Sequence, residues 1–147
     1  MEHSIKNPKV VEIKSCNTEL LERFLLTITK SKNHFRYYET RSLESLKNHL
    51  VTLLLVVNTT PVAYGHLDIE EEKVWLGICV SDEYHGNGFG KKMMSCLFEY
   101  AIENNIEKIN LSVDKNNNIA YNMYSKLGFL TYSENQKSFL MKKWFKI

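Results

Sequence analysis

The chain is poor in most of the features that mark specialised classes of protein. Among its 147 residues there are two prolines and three cysteines, Cys16, Cys79 and Cys96. An odd number of cysteines without metal-type spacing argues against a disulfide framework, offers no metal site and points to a reducing compartment. Neither sign of charge dominates. Nineteen Lys and Arg against seventeen Asp and Glu leave a net charge of +2, which gives no reason to expect a nucleic acid or an anionic membrane as partner. The longest apolar run, Leu53 to Val57, is far too short to cross a bilayer. The first eight residues, Met-Glu-His-Ser-Ile-Lys-Asn-Pro, lack the apolar core of a signal peptide. With no repeat, low-complexity stretch or linker, the expectation is one cytoplasmic domain over residues 1–147. Glycine is scarce as well, but three of the six glycines fall within five positions, at 86, 88 and 90.

What is present is a regular succession of periodic segments. Val10 to Lys14 alternates apolar and polar residues as a short edge strand does. Asn17 or Thr18 can cap a helix to about Thr29, with Leu20, Leu21, Phe24, Leu25 and Ile28 on one stripe. A second helix is expected from Ser42 to about His49, after an aperiodic polar and aromatic segment. Val51–Val57, Val62–Ile69 and Val74–Val80 read as strands joined by tight turns. A helix from about Gly88 to Glu103 follows the glycines, with an apolar stripe at 93, 94, 97, 98, 101 and 102. Asn104 and Asn105 suit its end. Ile109, Leu111 and Val113 alternate as a strand, and Ile119 to Leu127 is helical with Ile119, Met123 and Leu127 in register. Gly128 closes that helix with Phe129 packed back over its last turn. Two strands, Phe129–Tyr132 and Ser138–Phe145, finish the chain. The order β-α-α-β-β-β-α-β-α-β-β specifies a mixed α/β fold around one central sheet.

The strand, glycine bend and helix from Trp75 to Ala101 form the natural seat of an anion. Uncapped amide N–H groups and the positive end of the helix dipole converge there. Lys91 and Lys92 in the first helical turn oppose the dipole unless an anion offsets them. Two familiar phosphate loops do not fit. Only three residues separate Gly86 from Gly90, and Lys92 stands where a Walker A loop needs Ser or Thr. The Gly86-x-Gly88-x-Gly90 spacing is not the dinucleotide fingerprint, and Asn110 stands in place of its ribose-binding acid.

His85-Gly86-Asn87-Gly88-Phe89-Gly90 resembles the Arg/Gln-x-x-Gly-x-Gly/Ala cofactor motif of the GCN5-related N-acetyltransferase superfamily, with His in the first position. The superfamily's second motif is present with every spacing intact, at Asn117, Ala120, Tyr124, Gly128 and Phe129. The resemblance runs from about Val10 to Trp144. It implies the acyl-CoA N-acyltransferase fold, a mostly antiparallel mixed sheet flanked by helices, and acetyl-CoA as co-substrate without a metal. It implies that His85, Gly86, Asn87, Gly88, Phe89, Gly90 and Lys91 cradle the pyrophosphate. Cys79 and Val80 correspond to the strand segment that pairs with pantetheine, and Asn117 to a contact with the pantetheine or pyrophosphate arm. Tyr124 matches the tyrosine that hydrogen-bonds or protonates the leaving sulfur, a role open to a phenol of pKa ~10.

The acceptor is less sharply marked. The branch that acetylates ribosomal protein N-termini often carries a glutamate twelve residues before the tyrosine; Ser112 stands there, so that reading is disfavoured. His66 and Asp68 share one face of a strand by their i, i+2 spacing, and His66 is the candidate base, with Glu83 or a water relay as alternatives. Phe35, Arg36 and Tyr38 lie where the superfamily builds its acceptor wall. Aromatics beside Arg can stack on a sugar and hold a phosphate, or simply bury a loop. The expectation is an N-acetyltransferase, monomeric or homodimeric, acting on a small-molecule primary amine such as an amino sugar. Protein N-terminal or lysine acetylation, a non-catalytic acyl-CoA-binding module and a general nucleotide binder are the alternatives.

Overall fold

Alternation of apolar and polar residues along the chain builds a single seven-stranded sheet. The computed structural model describes residues 7–14, 16–28 and 49–146. Its strands are β1 (Lys9–Glu12), β2 (His49–Val57), β3 (Thr60–Glu70), β4 (Lys73–Val80), β5 (Lys108–Asp114), β6 (Leu130–Glu134) and β7 (Ser138–Trp144). The helices described are α1 (Glu19–Leu25), α2 (Phe89–Glu103) and α3 (Asn118–Lys126). The expected mixed α/β architecture is what is observed. The helix expected from Ser42 to His49 and the segment holding Phe35, Arg36 and Tyr38 lie outside the described residues, except His49, which opens β2.

Strands lie in the order β1-β2-β3-β4-β5-β7-β6. Each neighbouring pair is antiparallel except β4 and β5, which run parallel. Tight turns join β2 to β3 and β3 to β4, whereas α2 supplies the crossover a parallel pair requires. The β4–β5 pairing is confined to Trp75↔Asn110. The buried Asn110 side chain reinforces it by donating Nδ2–H to the Val74 carbonyl at 3.3 Å. Beyond that point the carboxyl halves of both strands part.

Each face of the sheet buries its own core. Val51, Leu53 and Leu55 of β2, Ala63 and Leu67 of β3 and Leu76 of β4 pack with Met93, Met94, Leu97 and Ala101 of α2. On the opposite face Leu54, Val56, Tyr64 and Cys79 pack with Leu21, Phe24 and Ile28. β2 is thus buried on both faces, as its unbroken apolar run requires. Two stripes differ from their periodic reading. Ile102 is exposed, so the buried face of α2 is narrower than the apolar stripe. In α3, Ile119 is 86% exposed and the inward face is Ala120, Met123, Tyr124 and Leu127. That turn of the helix is what carries Tyr124 into the interior.

Candidate active site

The loop between β4 and α2 takes its shape from two glycines. Gly86 has φ 83° and Gly88 φ 81°, the left-handed region in which a Cβ is strained. A Cβ built on either would meet nothing within 4 Å, so backbone conformation and not crowding by protein atoms calls for glycine there. Gly88 is the N-cap of α2 and contributes no side-chain cap. The first helical amides therefore receive no side-chain cap from Gly88, an arrangement that can take an anion, and Lys91 and Lys92 stand exposed beside them. Gly90 lies inside the helix, where a Cβ would find only ordinary contact with the Met123 sulfur at 3.6 Å.

His85, the departure from the superfamily motif, turns back toward the strand. Its Nε2 lies 3.0 Å from the Val80 carbonyl. A carbonyl only accepts, so Nε2 carries the proton and the ring ties the loop to the end of β4. Asn87 braces the same loop by donating Nδ2–H to the Tyr84 carbonyl at 3.0 Å. The loop, the parted ends of β4 and β5 and the start of α3 all lie at the carboxyl end of the parallel pair, the position where open α/β sheets receive ligands.

At the start of α3, Asn117 accepts the Ala120 N–H on Oδ1 at 3.2 Å as a helix N-cap. The other end closes in a Schellman arrangement. Gly128 has φ 101°, its N–H reaches the Ser125 carbonyl at 3.1 Å, and the Phe129 N–H reaches the Tyr124 carbonyl at 3.0 Å. Phe129 is buried edge-on against the Tyr124 ring, with centroids 5.8 Å apart. Both ends of this short helix are thereby held, and Tyr124 with them. Burial pushes the Tyr124 phenol pKa well above its ordinary value, and the neighbouring Cys79 adds to the shift. Tyr124 belongs to the core on the α2 side and Cys79 to the core on the α1 side. Cys79 is nonetheless within electrostatic range of the Tyr124 phenol, near the end of β4 beyond its pairing with β5.

His66 sits farther into the sheet than a base open to solvent would. It has no exposed surface. Its Nδ1 is 2.8 Å from Tyr64 Oη, its Nε2 is 3.6 Å from Asp68 Oδ1, and His49 stacks on its ring with centroids 4.2 Å apart. His66 pairs with Gly77 across β3 and β4, and a Cβ on Gly77 would lie 2.5 Å from His66 Cε1. The imidazole thus occupies space that only glycine leaves open on β4. Glu83 is exposed on the short 3₁₀ turn Asp82–Tyr84, and Ser112 faces the α1 side of β5 opposite Leu140 of β7. Sequence reasoning passed over Tyr64 and Gly77, although Tyr64, His66 and Asp68 obey one i, i+2 alternation.

The Acetyltransferase (GNAT) family model matches residues 16–129 of the chain. Among curated proteins the chain is similar to the uncharacterized N-acetyltransferase YobR of Bacillus subtilis, 30% identical over 103 residues, or 70% of this chain and 35% of that protein. The match therefore spans about a third of that relative's length. Among solved structures, the GNAT domain of S. lividans PAT superposes with a TM-score of 0.81 at 15% identity, covering 94% of this chain and 90% of that one. The PaiA N-acetyltransferase of Thermoplasma acidophilum, solved in complex with coenzyme A, gives 0.70 at 18% identity, covering 94% and 99%. At these identities the likeness is one of fold. Among the described residues, no helix is long and apolar enough to cross a membrane.

Proposed function

The chain belongs to the GNAT acetyltransferase family, and from that premise we propose that it transfers an acetyl group from acetyl-CoA to the primary amine of a small molecule, an amino sugar being one such acceptor. One observation carries the reading. The glycine loop and uncapped start of α2 lie at the same end of the parted β4–β5 pair as the buried phenol of Tyr124. The proposed phosphate seat and the proposed acid would thus serve one end of the sheet.

The chemistry of these residues supports the co-substrate. Gly86, Asn87, Gly88, Phe89, Gly90 and Lys91 would hold the pyrophosphate through backbone amides and one ammonium, with His85 fastening the loop. The end of β4 at Cys79 and Val80, beyond its pairing with β5, would receive the amide arm, and Asn117 would border it. Acetyl-CoA supplies an activated thioester. Tyr124 keeps its proton throughout the neutral range because burial raises its pKa. Proton loss to a thiolate whose thiol has a pKa of ~8.5 runs uphill. Tyr124 therefore serves the sulfur by donating its O–H as negative charge develops there. His66 is the proposed final acceptor of the amine's proton, reached indirectly because it is buried, and Phe35, Arg36 and Tyr38 the proposed acceptor wall.

Calorimetry with acetyl-CoA, followed by thiol release against pools of amino sugars, polyamines and peptides, tests this reading. Saturable binding and release with a small amine are expected. Release with peptides alone would move the acceptor to protein amines. Binding without release to any pool would make the chain an acyl-CoA-binding module, and no binding would remove the reading altogether.

A further inference from the structure

We propose that Tyr64 is the residue that takes the proton from the attacking amine, and that His66 and Asp68 stand behind it as a relay. This deepens the acetyltransferase reading and rests on it. Three side chains at i, i+2 and i+4 of β3 project from one face of the sheet: Tyr64, His66 and Asp68. Three positions of the imidazole, Nδ1, Cε1 and Nε2, have protein against them. Asp68 Oδ1 faces Nε2 at 3.6 Å, Gly77 backs Cε1, and Tyr64 Oη lies 2.8 Å from Nδ1. At 3.6 Å Asp68 is beyond hydrogen-bond reach, but its negative charge favours the ring proton on Nε2, which leaves the Nδ1 lone pair for the Tyr64 O–H.

His66 has no exposed surface and Tyr64 is itself buried, so a proton would reach the His66 lone pair through the Tyr64 hydroxyl that touches it. Tyr64 is also the member of the three that stands next to the reaction site. It pairs across the strands with Cys79, the residue whose neighbourhood Tyr124 shares. Phe24 stacks on the Tyr64 ring with centroids 6.2 Å apart, and His49 stacks on His66, so both planes are held.

The step balances as follows. The amine nitrogen forms its bond to the acetyl carbon and the carbon–sulfur bond breaks. The surplus proton on nitrogen passes to Tyr64 Oη while the Tyr64 proton passes to His66 Nδ1. The imidazolium so formed faces Asp68, and the thiolate leaves against the Tyr124 hydroxyl. After the product leaves, the proton passes back from His66 Nδ1 through Tyr64 Oη to solvent, which restores the starting protonation. Tyr64 is the catalytic residue here; His66 and Asp68 act through it.

Tyr64→Phe keeps the ring and its stack on Phe24 and removes only Oη. Steady-state kinetics would be run with acetyl-CoA and whichever of glucosamine, a diaminoalkane or an alanine-initiated peptide the wild type turns over. Tyr64→Phe should lower kcat by roughly 100-fold or more, within the range of general base catalysis, with the KM for acetyl-CoA unchanged. His66→Gln should fall similarly, and the double variant no further, because the groups act as a unit. A purely structural Tyr64 would move the melting temperature and KM, and its effect would multiply with that of His66→Gln. Full kcat in Tyr64→Phe, full kcat in His66→Gln, or multiplying losses would each overturn the relay alone. A wild type that transfers acetyl to none of these amines would overturn the acetyltransferase reading and the relay with it.

Discussion

Two small groups decide what the site's larger side chains can do. Gly77 is the first. A methyl group there would meet His66 Cε1 at 2.5 Å, in a ring already faced by Tyr64 and Asp68 and stacked on His49. Gly77→Ala should cost about 1–3 kcal/mol, the usual range for overpacking. In a His66→Ala background the same change should cost little, because the opposing ring is gone. Urea denaturation of the two single variants and the double measures that coupling. The second is the Tyr124 hydroxyl. Tyr124→Phe should lower kcat and leave acetyl-CoA affinity nearly unchanged, as calorimetry would read. It should also change the alkaline limb of stability. The folded state holds the phenol proton more tightly than the unfolded chain, so the stability this contributes is whole below the unfolded pKa of ~10 and is lost as pH rises through the raised folded value. Wild type should therefore fall more steeply than Tyr124→Phe above about pH 10, by at most about 1.4 kcal/mol per pH unit. Denaturation curves on both sides of that pH check the sign.

At the scale of the element, the turns are uneven in how well their residues suit them. The β3–β4 hairpin closes on Glu70↔Lys73, and its two loop residues, Glu71 and Glu72, have φ 52° and 66°. Two left-handed positions in a two-residue hairpin favour Asn-Gly, and like charges at the tip add repulsion. Glu71→Asn with Glu72→Gly should gain about 1 kcal/mol, or about 2–4 °C in Tm for a chain of this size. Thermal denaturation reads it, and acetyl-CoA affinity should not move, since the tip is at the opposite end of β4 from the glycine loop. The end of α2 shows the opposite case, where Asn105 occupies its left-handed position at φ 58°, a conformation Asn tolerates. The two ends of α3 were readable from residue type, Asn117 at one and Gly128 at the other. Its inward face was not. Ile119, Met123 and Leu127 lie on one helical stripe, and Ala120, Tyr124 and Leu127 on the next. Only the packing of Tyr124 against Phe129 selects the second.

For the molecule as a whole, ligand linkage gives the broadest test. A ligand that binds only the folded state stabilises it by about 2.7 kcal/mol at a hundred times its Kd. For a chain of this length that is a rise in Tm of about 5–11 °C. Acetyl-CoA at that excess should produce it, and the shift should shrink as salt is raised, because the exposed Lys91 and Lys92 flank the proposed phosphate seat. An unchanged melting curve would count against the site.

Read alone, the sequence determined the succession of strands and helices, the glycine loop and the spacing from Asn117 to Phe129. Each of these rests on residues close in the chain, where period, turn chemistry and conformational cost act locally. The tertiary structure decided the rest. It parted β4 from β5 beyond Trp75↔Asn110, turned His85 onto the Val80 carbonyl and brought Cys79 beside Tyr124. It also set His66 over Gly77, eleven residues along the chain but adjacent across the sheet. Those contacts depend on strand register and on which face each side chain takes. Register is settled by packing over the whole sheet, not by any one segment.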